Sequence, residues 1–286
     1  MDTEHAIPAL RARIADWRAR GQRIALVPTM GNLHAGHLSL VKAAQVRAER
    51  VVVSIFVNPM QFNDKQDFAS YPRTLEDDRN VLSEIATDLL FLPEQAALYP
   101  RGLESTTRVT VPGLSDILCG AFRPGHFAGV TTVVCMLLNI VQPDMAVFGE
   151  KDFQQLLLIR RMVHDLHLPV EIVGVPTLRE ADGLAMSSRN HYLTPEERSR
   201  APALYQALDR ARAAILEQSS ACDFRALEAE SMELLRDRGL RPEYFSVRRT
   251  ADLALAGPED EDLVVLAAAW LGRARLIDNV RVSAES

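Results

Sequence analysis

The chain has 286 residues, 48% hydrophobic and 24% charged, with a formal net charge of −6; at about 150 residues per domain it is long enough for two full cores without disulfide or metal staples. That composition excludes a disordered, collagen-like or coiled-coil protein, and the acidic excess, shared evenly between the parts before and after Ser187, excludes a broad basic face for nucleic acid. Of the 32 basic residues 29 are Arg and only Lys42, Lys65 and Lys151 are Lys, so an anionic ligand must be met by a few local donors.

In chain order, residues 24–27 are a short apolar run expected as a strand, 36–49 an amphipathic helix, and 51–57 a β-branched run suited to a central strand. A polar loop holding Lys65 follows; then 74–85 reads as a helix and 89–92 as a strand. Residues 130–141 have the pattern of a buried helix, 145–148 of a short strand, 153–166 of a helix and 170–175 of a closing strand. This alternation argues for an α/β fold, a Rossmann-like doubly wound parallel sheet with ligands at the carboxyl ends of its strands. Beyond Asn190 the texture changes. Helices are expected over 195–217, opened by Thr194 as N-cap with Pro195 at the first helical position, and over 223–238. Strands are expected over 244–248, 263–270 and 274–280, with Gly257-Pro258 and the acidic run 259–262 in a hairpin loop. The expected division is 1–185, a Rossmann-like domain, and 186–286, a smaller C-terminal α+β domain acting as a lid. Cys119, Cys135 and Cys222 form no Cys-x-x-Cys, which suits a reducing compartment. With no leader pattern at the start and no apolar run of about 18 residues, a cytoplasmic protein that engages no membrane is expected.

The segment Pro28-Thr29-Met30-Gly31-Asn32-Leu33-His34-Ala35-Gly36-His37 lies between the first strand and the first helix. Glycines permit close backbone approach, and the unpaired amides of a helix start suit phosphate. Two histidines three residues apart could donate hydrogen bonds to phosphate oxygens and stabilise charge on departing pyrophosphate. Two other uses stay open: a zinc pair, although no third ligand is spaced nearby, and simple capping of the helix. No Gly-x-Gly-x-x-Gly follows the first strand, so a nicotinamide-type site is excluded.

The His34-Ala35-Gly36-His37 motif resembles the "HIGH" signature of the adenylyl-transferring superfamily, and Met186-Ser187-Ser188-Arg189-Asn190 resembles its later mobile loop, with hydroxyls and one Arg in place of the usual lysines. Alone, the second segment reads more readily as an exposed Ser-Ser turn before a helix. Further motifs are Asn58-Pro59-Met60-Gln61-Phe62, Arg123-Pro124-Gly125-His126-Phe127 and Gly149-Glu150-Lys151-Asp152, the last followed by Gln154 and Gln155. Taken singly, Gln61 could be a strand-end hydrogen bonder and Asp77-Asp78 a solvated helix turn. In order and spacing, over nearly the whole chain, the set resembles the pantoate–β-alanine ligase family.

That resemblance implies an ATP-dependent condensation of (R)-pantoate with β-alanine through a pantoyl adenylate, catalysed by positioning and charge stabilisation. It implies that Met30, Gly31, Asn32, Leu33, His34, Ala35, Gly36 and His37 cradle ATP, with His37 and His34 on the phosphates. Lys151, Ser187, Ser188 and Arg189 would neutralise the phosphate chain, while Gly149, Glu150, Asp152, Leu178 and Met186 frame the nucleotide. Gln61 would hydrogen-bond pantoate and later β-alanine, Gln155 would hold pantoate from the opposite side, Asn58, Tyr71 and Arg123 would be second-line residues of that substrate site, and Asp77 or Asp78 would help hold Mg²⁺. It also implies a homodimer. The alternative within the superfamily is another small-molecule nucleotidylyltransferase, which would release pyrophosphate but no AMP and would not need β-alanine.

Overall fold

The apolar runs of the first half become strands of one parallel sheet in the computed structural model, which describes residues 1–218 and 221–282. The strands are β1 (Asp2–Glu4), β2 (Ile24–Thr29), β3 (Arg50–Ile55), β4 (Leu89–Phe91), β5 (Met145–Gly149) and β6 (Glu171–Val175), in the spatial order β1-β4-β3-β2-β5-β6. Every pairing is parallel, and Leu26 of β2 sits opposite Val52 on one side and Ala146 on the other. Helices α1 (Ile7–Ala19), α2 (Ala35–Gln45), α3 (Lys65–Ser70), α4 (Leu75–Glu84), α5 (Gln95–Leu98), α6 (Cys119–Phe122), α7 (His126–Val141) and α8 (Phe153–Asp165) connect them. Leu40, Val41 and Ala44 of α2 pack on Ala25, Val27, Val53 and Val147, while α7 meets β2 and is itself met by α1. Strands covered on both faces need apolar residues at every position, which is why they read as continuous runs.

Two elements go beyond the sequence-based expectation. β1 joins the sheet edge by backbone pairing of three polar residues, Asp2, Thr3 and Glu4 with Leu89, Leu90 and Phe91. α1 buries Leu10, Ile14 and Trp17. Lys65, expected in a loop, opens α3, where the Asp64 side chain caps the helix by accepting from the Gln66 N–H.

The chain forms two compact units, Met1–Glu150 with Gln155–Pro176, and Lys151–Gln154 with Thr177–Ser286. In the second, α9 (Pro195–Arg200), α10 (Ala203–Gln218) and α11 (Phe224–Asp237) accompany an antiparallel sheet of β7 (Arg241–Arg249), β8 (Leu263–Leu271) and β9 (Ala274–Val282). Val265 pairs with both Val247 and Val280, and Leu204, Leu208, Ala211 and Ile215 of α10 build the core with β8. The single helix expected over 195–217 is two. Pro202 has no N–H to donate to the preceding turn, so α9 stops at Arg200 and α10 restarts at Ala203. Thr194 does cap α9, in a reciprocal box with Glu197.

Residues 177–185, assigned to the first domain by the 185/186 boundary, belong to the second unit. Arg179 explains why: its guanidinium donates to both carboxylate oxygens of Asp278 at 2.5 and 3.0 Å and to the carbonyls of Gly183 and Asn279, and it stacks 3.9 Å over the Tyr205 ring. Burial pushes the Asp278 carboxyl up, and the cations Arg179 and Lys151 oppose that shift.

Candidate active site

β2 lies where the strand order reverses, with β3 on one side and β5 on the other, so the loops after β2 and β5 leave the same end of the sheet. Such a switch point opens a crevice for ligands. After Thr29 the chain turns sharply through Gly31 at φ +79° and Asn32 at φ +51°. A Cβ on Gly31 would stand 3.0 Å from Asp78 Oδ2 and 3.1 Å from Ile55 Cγ2, so the positive φ favours glycine and any side chain would also crowd the Asp78 carboxylate. Buried Asp78, on α4, holds this turn: Oδ2 accepts from the Asn32 N–H at 2.9 Å, and Oδ1 accepts from the Leu33 N–H at 2.7 Å and from Thr74 Oγ1 at 3.3 Å.

Both oxygens of Asp78 are thus committed to the chain, and neighbouring Asp77 is exposed. Among the described residues no group of three or more His, Cys, Asp or Glu could hold a metal. The Asp77/Asp78 pair therefore does not fit a resident Mg²⁺, and the zinc use of the histidines lacks its further ligands.

The histidines instead form a cap. His34 is the N-cap of α2, its Nδ1 accepting from the Gly36 N–H at 3.1 Å, and His37 Nδ1 accepts from the His34 N–H at 3.3 Å; the ring centroids are 4.1 Å apart. A nitrogen that accepts carries no proton, so each neutral ring keeps its proton on Nε2. Capping and phosphate donation are therefore compatible: one nitrogen serves the helix and the other is a donor.

Asn58 and Gln61 lie beyond β3, in a 3-10 turn over Pro59–Gln61. Asn58 is 1% exposed, so its amide is an internal group and not the substrate contact the resemblance implies. Its Oδ1 accepts from the Met60 N–H at 3.3 Å and the Tyr99 hydroxyl at 2.6 Å, and its Nδ2 donates to Gly129 O and to Gln61 Oε1, each at 3.1 Å. The Gln61 carbonyl accepts from His126 Nδ1 at 2.7 Å and from Arg123 Nη2 at 3.3 Å. Tyr71 is buried edge-on to Phe62, 5.6 Å between centroids. α7 presses on this turn at Gly129, where a Cβ would meet Met60 O at 2.5 Å and Gln61 N at 2.7 Å. Gly129→Ala is expected to displace the turn at a cost of about 1–3 kcal/mol, lowering the melting temperature. An unchanged melting temperature would show that the contact does not hold the turn in place.

Gly149 ends β5, Glu150 and Asp152 bound a second 3-10 turn, and half-buried Gln155 lies in the first turn of α8. In the second unit, Lys151 and Ser187 line one small opening together with Asn190 and Asp278, and Asn279 Nδ2 holds the Lys151 carbonyl at 2.9 Å. Ser187 caps a 3-10 turn over Ser188–Tyr192 by accepting from the Arg189 N–H at 3.2 Å. Ser188 is buried, so the segment is a turn but not an exposed one. The Met186 N–H donates to the carbonyl of Leu178, whose side chain is exposed.

A parallel sheet whose switch-point loop ends in a two-histidine helix cap fits the resemblance to the "HIGH"-signature class. Comparison with known proteins narrows the class. The family model for pantoate-beta-alanine ligase matches residues 2–281. The pantothenate synthetase of Thioalkalivibrio sulfidiphilus is 59% identical over 282 residues, covering 99% of this chain and 98% of that one, and that of Nitrosococcus oceani is 56% identical over 280 residues, covering 98% and 97%. The crystal structure of pantothenate synthetase from Thermus thermophilus matches with a TM-score of 0.91 at 45% identity, covering 99% of this chain and 100% of that one. A pantoate-beta-alanine ligase from Francisella tularensis, solved with beta-gamma ATP and beta-alanine, matches at 0.80 and 34%, covering 98% and 97%. The chain belongs to the pantoate–β-alanine ligase family, and it is an ATP-dependent ligase.

Proposed function

We propose that the chain joins (R)-pantoate to β-alanine in two displacements on ATP. A carboxylate is a poor acyl donor to an amine, so a pantoate oxygen first attacks the α-phosphorus and the bond to the bridging oxygen breaks, releasing pyrophosphate. The neutral amine of β-alanine then attacks the acyl carbon, the bond to AMP breaks, the nitrogen loses its proton, and pantothenate forms. No side chain becomes covalently attached. The chain supplies orientation and donors for charge that grows in each transition state.

The observation that carries this reading is the histidine cap: Nδ1 of His34 and of His37 accepts from backbone N–H groups at the start of α2, which puts each ring proton on Nε2, the donor we assign to the phosphates. We give the turn from Met30 to Gly36 the nucleotide, Gln61 and Gln155 the pantoate, and Arg123 a supporting place through the Gln61 carbonyl. Lys151, Ser187, Ser188 and Arg189 take the phosphate charge, with Gly149, Glu150, Asp152, Leu178 and Met186 about the nucleotide. Mg²⁺ enters with ATP, on its phosphates. The assembly carried by the resemblance is a homodimer, checked by sedimentation, and the absence of a disulfide among Cys119, Cys135 and Cys222 suits a reducing cytoplasm. No helix among the described residues is long and apolar enough to cross a membrane.

Incubation with ATP, Mg²⁺, pantoate and β-alanine tests the reading. AMP should accumulate only when both acid and amine are present; turnover without β-alanine, with pyrophosphate but no AMP, would favour a nucleotidylyltransferase.

A further inference from the structure

A carboxamide presents a donor at one end and an acceptor at the other, so a glutamine that selects its ligand must be told which way to face. Around Gln61 the backbone gives the instruction. The Met60 N–H can only donate and the Gly129 carbonyl can only accept, and they engage opposite ends of the Asn58 amide. Oδ1 of Asn58 therefore faces Met60 and Nδ2 faces Gly129. Nδ2 also donates to Gln61, which fixes the atom it meets as Oε1 and leaves Nε2 as the outward end. One further group holds Asn58 in this sense. The Tyr99 hydroxyl, on a residue 3% exposed, donates to Asn58 Oδ1 at 2.6 Å, the shortest bond of the set. Tyr99 stands 41 positions from Asn58, just beyond α5, and its ring lies 6.1 Å from Phe56.

We infer that Tyr99 is a positioning residue for acid recognition: through Asn58 it locks the Gln61 amide with its NH₂ outward, so that the site accepts acids offering an oxygen acceptor at that point. The inference rests on Gln61 contacting pantoate. Burial pushes the Tyr99 phenol up, so the hydroxyl keeps its proton and remains a donor throughout the working range. Both ends of Gln61 are then fixed, the side chain by the Tyr99–Asn58 relay and the carbonyl by His126, whose Nδ1 is the donor because Nε2 faces the Arg123 guanidinium at 3.2 Å.

The test is a double-mutant cycle with Tyr99→Phe and Gln61→Ala, reading kcat and the KM values for pantoate and ATP. Phenylalanine keeps the ring and removes only the hydroxyl. Tyr99→Phe should raise the pantoate KM about fivefold, the weight of one hydrogen bond, with the ATP KM unchanged, and should add nothing in the Gln61→Ala background. Equal changes in both KM values, or an additive effect in the double mutant, would mean a general structural role and overturn the inference. An unchanged pantoate KM in Tyr99→Phe, with a raised one in Gln61→Ala, would also overturn it while leaving the Gln61 assignment standing. If Gln61→Ala itself leaves the pantoate KM unchanged, the assignment of Gln61 fails and the inference falls with it.

Discussion

Lys151→Ala is expected to slow formation of the acyl adenylate about a hundredfold, the loss of about 3 kcal/mol of charge stabilisation at the phosphates. The fold should survive, because the contact that anchors Lys151 is its main-chain carbonyl, held by Asn279, which alanine retains. The ammonium also lowers the cost of the buried Asp278 carboxylate, which Arg179 offsets more strongly. Lys151→Arg should recover little of the rate: a planar guanidinium on a longer stem does not reproduce a compact ammonium that follows a phosphate as its charge redistributes. Single-turnover quenched-flow measurement of adenylate formation is the check, and a wild-type rate in Lys151→Ala would remove the residue from the chemistry.

Asp78→Asn should weaken ATP binding by at least about tenfold and lower the melting temperature. One carboxylate serves two backbone N–H groups, of Asn32 and Leu33. Each meets a different oxygen, and an amide keeps an oxygen at only one of the two positions and sets its own NH₂ against the N–H at the other. Hydrogen bonds to a charged group contribute about 1.5–3 kcal/mol each, and here the loss falls on a turn held at positive φ in Gly31 and Asn32. Raising Mg²⁺ should not rescue the variant, because the damage lies in the turn. Recovery of ATP affinity at high Mg²⁺ would restore Asp78 as a metal ligand.

Much of the fold is legible in the sequence because a parallel sheet covered on both faces is built from largely apolar runs: 24–27, 89–92 and 145–148 are unbroken, 51–57 is interrupted only by Ser54 and 170–175 by the exposed Glu171. β1 is invisible for the opposite reason: Asp2, Thr3 and Glu4 join the sheet by backbone pairing, while their polar side chains meet Arg13 and Arg79 and not an apolar core. α1 could have been read from the helical spacing of Leu10, Ile14 and Trp17, and the break in 195–217 from Pro202. At the site, the His-x-Gly-His motif can be found because its parts are local, the cap closing within a single helical turn. Asp78 reads as half of an acidic pair because its partners, Asn32 and Leu33, lie 46 and 45 positions earlier. Tyr99 and Gly129 give no signal for the same reason, being 41 and 71 positions from Asn58. Asn58 itself stands out, but as a ligand contact, since a motif shows which residues matter without showing which of them face inward.

In the proposed reaction the pantoate carboxylate is activated as an acyl adenylate. Pantoate labelled with oxygen-18 in both carboxylate oxygens, turned over with ATP and β-alanine, tests it directly by mass spectrometry of the products. One labelled oxygen should appear in AMP, delivered when the acyl–oxygen bond breaks, and one in the new amide carbonyl. AMP free of label would contradict it.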